Sequence, residues 1–245
     1  MKKESSYKVI SLFSGIGGLD LGFGGEVIVH HDSVRDPECI ERSAPVKDFV
    51  ALKRQPFEVI FQNDVEERAK EIVSLNGSAA NYRTQCIREL LDGDDPLPNA
   101  DVVIGGIPCK SFSHAGKREG FASDSGTLYR SFVEVVRRVE PKVFVAENVY
   151  GLVTMKTHPL RQIVREFTEV GYDVSYQVIK CEEFGIPQRR TRGIIMGVAK
   201  TRTKPLPSDW NTITKDRVQC SVGKYFAHLG EPADSDDMSH RAYSR

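Results

Sequence analysis

The sequence predicts an α/β protein whose core is a doubly wound, mostly parallel sheet with helices on both faces. Short β-branched runs alternate with amphipathic helical segments from residue 7 to residue 198, and this alternation is typical of strands joined by crossover helices. Hydrophobic residues make up 40% of the 245 positions, enough for one large core. The segment after residue 200 is rich in Pro, Asp and Ser, so no second core is expected.

Composition narrows the possible function classes. The 34 basic residues balance the 34 acidic ones, so any contact with nucleic acid must come from local basic patches. The sequence has no signal-peptide pattern and no apolar run long enough to cross a membrane. Its five cysteines are scattered without the spacing of a metal site. We therefore expect a cytoplasmic protein with free thiols and no membrane contact, associated with the nucleoid if it is prokaryotic.

The first predicted strand, residues 7–13, is followed by a glycine turn at residues 14–18 and then by a helix. This order of elements favours a nucleotide-like cofactor. The glycine spacing is not G-x-G-x-x-G and no GK[ST] follows, which argues against a dinucleotide site or a P-loop. On the pattern alone, a tight turn without any ligand is an equally good interpretation.

The next elements are less regular. Residues 27–29 predict a short strand, and residues 46–54 have helical composition. Residues 57–62 predict the second strand of the sheet, which ends at Asn63 and Asp64. An acid at this point commonly holds ribose hydroxyls in doubly wound folds, and it can also cap the helix predicted over residues 65–75. Residues 83–91 predict a short strand or turn, and residues 92–99 a polar loop.

A buried strand at residues 101–104 leads to Gly105-Gly106-Ile107-Pro108-Cys109. Pro108 cannot continue a central ladder, so Cys109 is expected at the carboxyl edge of the sheet, where open α/β folds bind ligands. A lone cysteine is more often a buried apolar residue than a nucleophile. Here a cationic segment, residues 110–126, follows, and positive charge increases the thiolate fraction. The surroundings therefore favour a reactive Cys109.

Further strands and helices complete the predicted sheet. A helix is predicted over residues 128–139, with its apolar positions in the core, and another over residues 160–170. The strand at residues 142–149 brings Glu147 to the same edge as Cys109. A carboxyl group at the end of an apolar strand is costly to bury unless it is paired or used, so a functional role is favoured. Residues 172–179 and 193–198 predict the last two strands, with a turn at residues 184–187 between them.

A basic segment precedes the last strand. From Arg189 to Lys204 there are six basic residues and no acidic one. Such a run is usually a solvated face, but here the arginines alternate at the entrance of a strand. One arginine can therefore reach phosphates while another reaches an active site.

In their order along the chain, these motifs resemble those of the cytosine-5 DNA methyltransferases. Four segments carry the resemblance: the S-adenosylmethionine loop at Phe13-Ser14-Gly15-Ile16-Gly17-Gly18, the nucleophile motif Gly106-Ile107-Pro108-Cys109, the Glu147-Asn148-Val149 motif, and the Gln-x-Arg-x-Arg motif at Gln188-Arg189-Arg190-Thr191-Arg192. Residues 124–128 resemble the segment that passes the methionine end of the cofactor. The resemblance implies an S-adenosylmethionine-dependent methyltransferase (Rossmann-like) fold, with a catalytic domain over residues 1–200.

The resemblance also implies three groups of site residues. The catalytic group is Cys109, Glu147, Arg190 and Arg192. The contacts to S-adenosyl-L-methionine are Phe13, Gly15, Ile16, Gly17, Gly18, Asp64, Val65, Ile87, Gly106, Pro108 and Leu128. The contacts to double-stranded DNA are Ser111, Ser113, Lys117, Arg118, Gln188 and Arg189.

The implied reaction begins when the Cys109 thiolate attacks C6 of a cytosine, so that C5 becomes nucleophilic and takes the methyl group. A protonated Glu147 at N3 and Arg192 at O2 would hold the base, and Arg190 would support the loop or a phosphate. Loss of the C5 proton and expulsion of Cys109 finish the reaction. The cytosine must be flipped out of the duplex, and residues 110–125 would close over it.

The chain departs from the family pattern in several places. Ile107 and Lys110 replace the usual neighbours of the Pro-Cys pair, and Cys86 replaces the Asp that would bind the adenine amino group. Residues 26–56 form a longer insertion than usual. Residues 199–245 are too few for both a target-recognition domain and the Asn-containing motif whose helix packs beside the first helix. We therefore expect residues 201–245 to be a linker or extension, and DNA recognition to need a second subunit or a further C-terminal part.

Three other interpretations were weighed. A catalytically inactive regulatory or scaffold subunit of the same fold is the main alternative: the change at Cys86 favours it, and the presence of Cys109, Glu147 and Arg192 together argues against it. An RNA cytosine methyltransferase lacks support because the sequence has no further RNA-binding module. A nicotinamide dehydrogenase leaves the motifs around Cys109, Glu147 and Arg192 unexplained.

Overall fold

The computed structural model describes residues 6–25, 27–31, 34, 36–75, 81–108, 124–154, 159–184, 186 and 188–201. Within these ranges, the side chains of residues 124–127 and 153–154 are not described. The chain divides into two units. The first holds the described residues up to Val178 and from Arg192 onward, and the second holds Ile179–Thr191.

Strands and helices alternate along the described residues. The strands are β1 (Tyr7–Leu12), β2 (Ile28–His30), β3 (Ile40–Ser43), β4 (Phe49–Leu52), β5 (Phe57–Asp64), β6 (Tyr82–Thr84), β7 (Val102–Gly106), β8 (Val143–Val149), β9 (Tyr172–Lys180) and β10 (Thr191–Ala199). The α-helices are α1 (Gly18–Gly24), α2 (Glu67–Leu75), α3 (Ile87–Asp92), α4 (Asp124–Val139), α5 (Gly151–Thr154) and α6 (Pro159–Glu169). Short 3₁₀ helices form at Pro37–Cys39 and Cys181–Glu183.

A seven-stranded sheet with the order β6-β5-β1-β7-β8-β10-β9 is the main feature of the fold. Strand β1 pairs in parallel with β5 and with β7, and β7 pairs in parallel with β8. Strand β10 runs antiparallel to β8. The chain builds outward in both directions from the β1–β7 pair, so the carboxyl ends of these two strands form the switch point at which open α/β sheets bind ligands.

The two faces of the sheet carry separate apolar clusters. Val9 and Ile104 face α1, where Leu19 packs against them. Ile10 and Val103, one position away, belong to the larger cluster on the other face, because successive side chains of a strand point to opposite faces. The doubly wound, mostly parallel α/β fold predicted from the sequence is confirmed.

Aromatic rings fix helices α4 and α6 on the larger face. Phe144 of β8 stacks on Phe167 of α6 with ring centroids 4.1 Å apart, and Phe132 of α4 meets Phe167 edge to face at 6.0 Å. All three rings are fully buried. Gly197 of β10 lies against the Phe144 ring so closely that a Cβ there would overlap it. The helix predicted over residues 128–139 forms with its apolar positions in this core, as expected.

The segment at residues 26–56 differs from the sequence-based expectation. Residues 46–54 were expected to be helical, but Phe49–Leu52 forms strand β4, the centre of a three-stranded antiparallel sheet with the order β2-β4-β3. The apolar run at β4 buries Val50 and Ala51 between its two partners, and such cross-strand packing overrides local propensity. Asp48, with φ 63°, makes the turn that precedes the strand.

Residues 83–91 also resolve into two elements where the sequence left a strand or a turn open. Tyr82–Thr84 forms β6, the edge strand beside β5. Ile87–Asp92 forms α3, and Cys86 caps its first turn. None of the described helices is long and apolar enough to cross a membrane.

Candidate active site

A cleft of about 190 Å³ opens at the carboxyl ends of β1, β5 and β7. Its lining combines apolar side chains with two polar groups from the end of β5, and it consists of Phe13, Asn63, Asp64, Val65, Cys86, Ile87, Gly106, Pro108 and Leu128. The cleft therefore lies at the switch point of the sheet, which is the position expected for a ligand.

The glycine turn after β1 borders this cleft with an unusual backbone conformation. Phe13 (φ 51°), Gly15 (φ 51°) and Gly17 (φ 84°) all have positive φ angles. For a phenylalanine this left-handed conformation costs about 1–2 kcal/mol, so the surroundings must enforce it. The amide of Ser14 donates to the Asn63 carbonyl at 3.1 Å, which ties the turn to the end of β5. Such enforced outliers concentrate at functional sites.

Asp64 joins the glycine turn to the start of α2. Its Oδ2 accepts from the Gly15 amide at 2.8 Å, and its Oδ1 accepts from the Glu66 amide at 3.1 Å. The sequence left open whether Asp64 serves the cofactor site or the following helix. In the structure it orders the turn before α2, lines the cleft and holds the glycine turn.

Two polar residues that the sequence did not single out complete this framework. Asn63 is 1% exposed, and its Nδ2 donates to the carbonyls of Arg83 and Gln85 at 3.1 and 3.0 Å, which fixes the connection from β6 to α3. The Tyr82 hydroxyl donates to the Gly15 carbonyl at 3.1 Å. Asn63 could have been noticed because it adjoins Asp64, whereas nothing in the sequence links Tyr82 to a glycine far earlier in the chain.

The predicted cofactor contacts fall into two groups. Seven of them line the cleft: Phe13, Asp64, Val65, Ile87, Gly106, Pro108 and Leu128. The others form the turn and the first residues of α1 beside it: Gly15, Ile16, Gly17 and Gly18. Apolar side chains that face a planar purine and a carboxylate at the end of β5 suit a nucleoside with free ribose hydroxyls. The described residues therefore fit a cofactor of the S-adenosylmethionine type.

Glu147 and Arg192 form an ion pair beside the same cleft. Nε of Arg192 lies 2.5 Å from Oε1 of Glu147, and the two side chains are 19% and 26% exposed. The antiparallel register of β8 and β10 brings them together, since Arg192 pairs with Val149. A Cβ on Gly106 would lie 3.8 Å from Oε2 of Glu147. Gly106 therefore contacts both the cleft and the carboxylate.

The residues that lead to Cys109 are anchored to this pair. The amide of Ile107 donates to the Glu147 carbonyl at 3.1 Å, and the side chain of Ile107 is 3% exposed. Pro108 follows at the rim of the cleft. Cys109 and the predicted DNA contacts in the next segment lie outside the described residues: Ser111, Ser113, Lys117 and Arg118.

The remaining predicted residues belong to the second unit. Gln188, Arg189 and Arg190 are all exposed there. The backbone of Arg190 accepts from the Cys181 amide at 2.8 Å and donates to a Glu182 carboxylate oxygen at 3.4 Å. Their side chains are therefore available to solvent, while the backbone of the segment is held within its unit.

Comparison with known proteins gives the family. A family model described as C-5 cytosine-specific DNA methylase matches residues 7–237. The chain belongs to this family. The resemblance inferred from the sequence motifs is thereby confirmed, and the cleft and the ion pair described above lie within a C-5 cytosine-specific DNA methylase fold.

Relatives in the family are bacterial. The chain is 36% identical over 193 residues to the Type II methyltransferase M.NgoFVII of Neisseria gonorrhoeae, covering 78% of this chain and 43% of that protein. It is 34% identical over 202 residues to M.BsuRI of Bacillus subtilis, covering 81% and 44%. M.AquIA of Picosynechococcus sp. is 35% identical over 213 residues, with 82% of this chain and 76% of that protein covered. This methylase thus spans less than half the length of the first two relatives.

Solved structures support the fold. A putative DNA modification methyltransferase encoded within a prophage (E. coli) superimposes with a TM-score of 0.63 at 23% identity, covering 94% of this chain and 59% of that one. The S. pombe Dnmt2 methyltransferase gives a TM-score of 0.55 at 18% identity, covering 89% and 58%. At these identities the likeness concerns the fold of the methylase alone.

Proposed function

We propose that this chain is the catalytic part of a DNA (cytosine-5-)-methyltransferase that uses S-adenosyl-L-methionine and acts on double-stranded DNA. The observation that carries the proposal is the contact of Gly106 with both the cleft and the Glu147–Arg192 pair. A methyl donor in the cleft and a base at the ion pair would then be neighbours, which is what a direct transfer between them requires.

The cofactor would be held by the described cleft. Phe13, Ile87 and Leu128 would flank its apolar parts, and Asp64 would meet the ribose hydroxyls. When bound, S-adenosylmethionine supplies an electrophilic methyl group on a sulfonium. Gly106 and Pro108 would border the end of the cleft that leads toward the base.

The base would be held by Glu147 and Arg192. Their ion pair supports this role because it sets a carboxyl group and a guanidinium side by side at the sheet edge, as the N3 and O2 positions of a cytosine require. On binding, both groups would exchange part of their mutual contact for the base. Glu147 would share a proton with N3 as negative charge develops there.

Cys109 would act as the nucleophile. It follows Ile107 and Pro108, which the Glu147 carbonyl and the cleft rim hold in place. Its thiolate would bond to C6, and the electron pair of the C5–C6 double bond would become available at C5. After methylation, loss of the proton from C5 would expel the thiolate and restore the ring.

DNA contacts complete the proposal. The exposed Gln188 and Arg189 would reach the duplex, with Arg190 supporting a phosphate or the loop. Ser111, Ser113, Lys117 and Arg118 would contact it from the segment after Cys109. Relatives named Type II methyltransferases support a place in a restriction–modification system, in the cytoplasm close to the nucleoid.

Target recognition would need a second subunit or a further part of the protein. Helix α1 supports this, because none of its residues is buried and Leu21 is 55% exposed. The short coverage of the relatives agrees with it. We therefore propose a catalytic domain over residues 1–200 and a linker or extension over residues 201–245. The isolated chain would bind cofactor weakly and would not select a DNA sequence.

An inactive scaffold of the same fold remains the second candidate. The observation that favours it is Cys86, whose side chain borders the cleft where the family has an acid. The ion pair at Glu147 argues against it, because a scaffold has no need of a carboxyl group at the sheet edge.

The test is methyl transfer from labelled S-adenosylmethionine to duplex DNA, with and without a candidate second chain. We expect 5-methylcytosine in the product and its loss in Cys109→Ser. Robust sequence-specific methylation by the 245-residue chain alone would refute the need for a second part. Cofactor-independent behaviour, with no transfer in any combination, would favour the scaffold.

A further inference from the structure

The peptide of Gly15 is held at both of its polar atoms. Its amide donates to Oδ2 of Asp64 at 2.8 Å, and its carbonyl accepts from the Tyr82 hydroxyl at 3.1 Å. We propose that Tyr82 is a positioning residue for cofactor binding, and that its hydroxyl sets the conformation of the glycine turn through the Gly15 carbonyl. The inference rests on the cofactor site of the proposed function.

The environment of Tyr82 separates packing from positioning. The residue is 4% exposed, and its cluster partners are Ala69 and Val73 of α2. A phenylalanine would fill this apolar space equally well. The hydroxyl therefore has a different task, and its partner in the structure is a backbone atom of the turn. Burial raises the pKa of Tyr82, so the hydroxyl remains a donor at neutral pH.

Gly15 needs such a restraint. Its φ is 51°, and no heavy atom lies within 4 Å of the place where a Cβ would stand. Side-chain packing therefore does not fix this residue, and glycine has the widest conformational freedom of any residue. The two hydrogen bonds hold the peptide in one orientation, with the amide on a carboxylate that also lines the cleft. Loss of the Tyr82 bond would let the peptide rotate and weaken the Asp64 contact.

The consequence is a change in cofactor affinity rather than in the chemical step. A turn that samples several conformations binds only through its competent fraction, so the apparent dissociation constant rises as that fraction falls. One neutral hydrogen bond corresponds to about a five- to tenfold change in that fraction. For an active assembly, KM for the cofactor should rise by this factor with kcat unchanged.

The test compares Tyr82→Phe with Tyr172→Phe. Tyr172 is an equivalent buried tyrosine, 3% exposed, whose hydroxyl donates to the Pro141 carbonyl at 2.7 Å away from the cleft. Both variants lose one hydroxyl-to-carbonyl bond and should lose similar thermal stability. Titration calorimetry with S-adenosylhomocysteine should show about five- to tenfold weaker binding for Tyr82→Phe and less than a twofold change for Tyr172→Phe.

A second measurement does not depend on the ligand. Hydrogen exchange of the peptide covering residues 14–18 should accelerate in Tyr82→Phe and stay unchanged in Tyr172→Phe. Unchanged affinity together with unchanged exchange in Tyr82→Phe would overturn the inference. If the wild-type chain binds no S-adenosylhomocysteine, the cofactor proposal fails, and the exchange experiment alone decides whether Tyr82 orders the turn. Equal losses of affinity in both variants would reduce Tyr82 to a structural residue.

Discussion

Nε of Arg192 lies 2.5 Å from Oε1 of Glu147, and the two residues come from neighbouring antiparallel strands. Both side chains are partly exposed, so the pair is a modest source of stability. Its position beside Gly106, at the rim of the cofactor cleft, accounts better for its presence. The pair therefore separates catalysis from folding in a way that variants can measure.

Glu147→Gln should leave the fold nearly intact while abolishing activity. The free energy of unfolding should fall by about 1 kcal/mol, as for a partly exposed ion pair. Methyl transfer by the active assembly should fall by roughly 10²–10⁴-fold, the usual contribution of a positioned acid. Glu134→Gln is the control, since Glu134 pairs with Arg137 and Arg138 on the surface of α4. A similar loss of activity in both variants would contradict the assignment.

Two adjacent glycines should respond differently to an added methyl group. A Cβ on Gly105 would lie 2.6 Å from the Leu12 carbonyl oxygen and 2.8 Å from the Phe132 ring. Gly105→Ala should therefore lower the free energy of unfolding by about 1–3 kcal/mol, as overpacking does. In Gly106→Ala the nearest atoms are 3.8 Å away, so stability should hold while cofactor affinity falls. Chemical denaturation and calorimetry separate the two effects, and equal destabilisation would contradict the structure.

Cys86→Asp should strengthen cofactor binding. The thiol borders the cleft and caps the first turn of α3, and the family resemblance implies an acid here for the adenine amino group. An aspartate is also a preferred cap, worth about 1 kcal/mol. We expect about five- to tenfold tighter binding of S-adenosylhomocysteine, from one added hydrogen bond. Cys39→Asp, at an exposed cysteine in the insertion, should change nothing, and weaker binding by Cys86→Asp would exclude this role.

Two buried tyrosines predict a loss of stability at alkaline pH. Burial raises the pKa of Tyr172 to about 12, and burial with the Glu166 contact raises that of Tyr129 to about 12. Because these values lie above the ordinary value of 10, the protonated form favours the folded state. The resulting stability is fully present below pH 10 and is lost as the pH rises toward 12.

Urea denaturation at a series of pH values measures this effect. The free energy of unfolding should decline between pH 10 and 12, and Tyr172→Phe should decline less steeply than the wild type. Parallel pH profiles for the two proteins would mean that Tyr172 does not titrate with folding.

The sequence predicted the features that depend on local pattern. Alternating apolar runs gave the strands, and turn residues marked where the chain leaves the sheet, so the edge shared by Asp64, Gly106 and Glu147 could be expected. Strand β4 was wrong, because its conformation depends on two partner strands rather than on its own composition. Asn63 and Tyr82 were missed for the same reason: their hydrogen bonds join elements that are distant in sequence.

The most direct test of the central claim is covalent trapping. A duplex containing 5-fluorocytosine is incubated with the chain, S-adenosylmethionine and, where needed, a second chain, and the adduct is mapped by peptide mass spectrometry. Fluorine cannot leave C5 as a proton does, so the thiolate stays bonded to C6. We predict one adduct, at Cys109, that is absent in Cys109→Ser and strongly reduced in Glu147→Gln. An adduct at another cysteine, or none in any combination of chains, would contradict the proposed reaction.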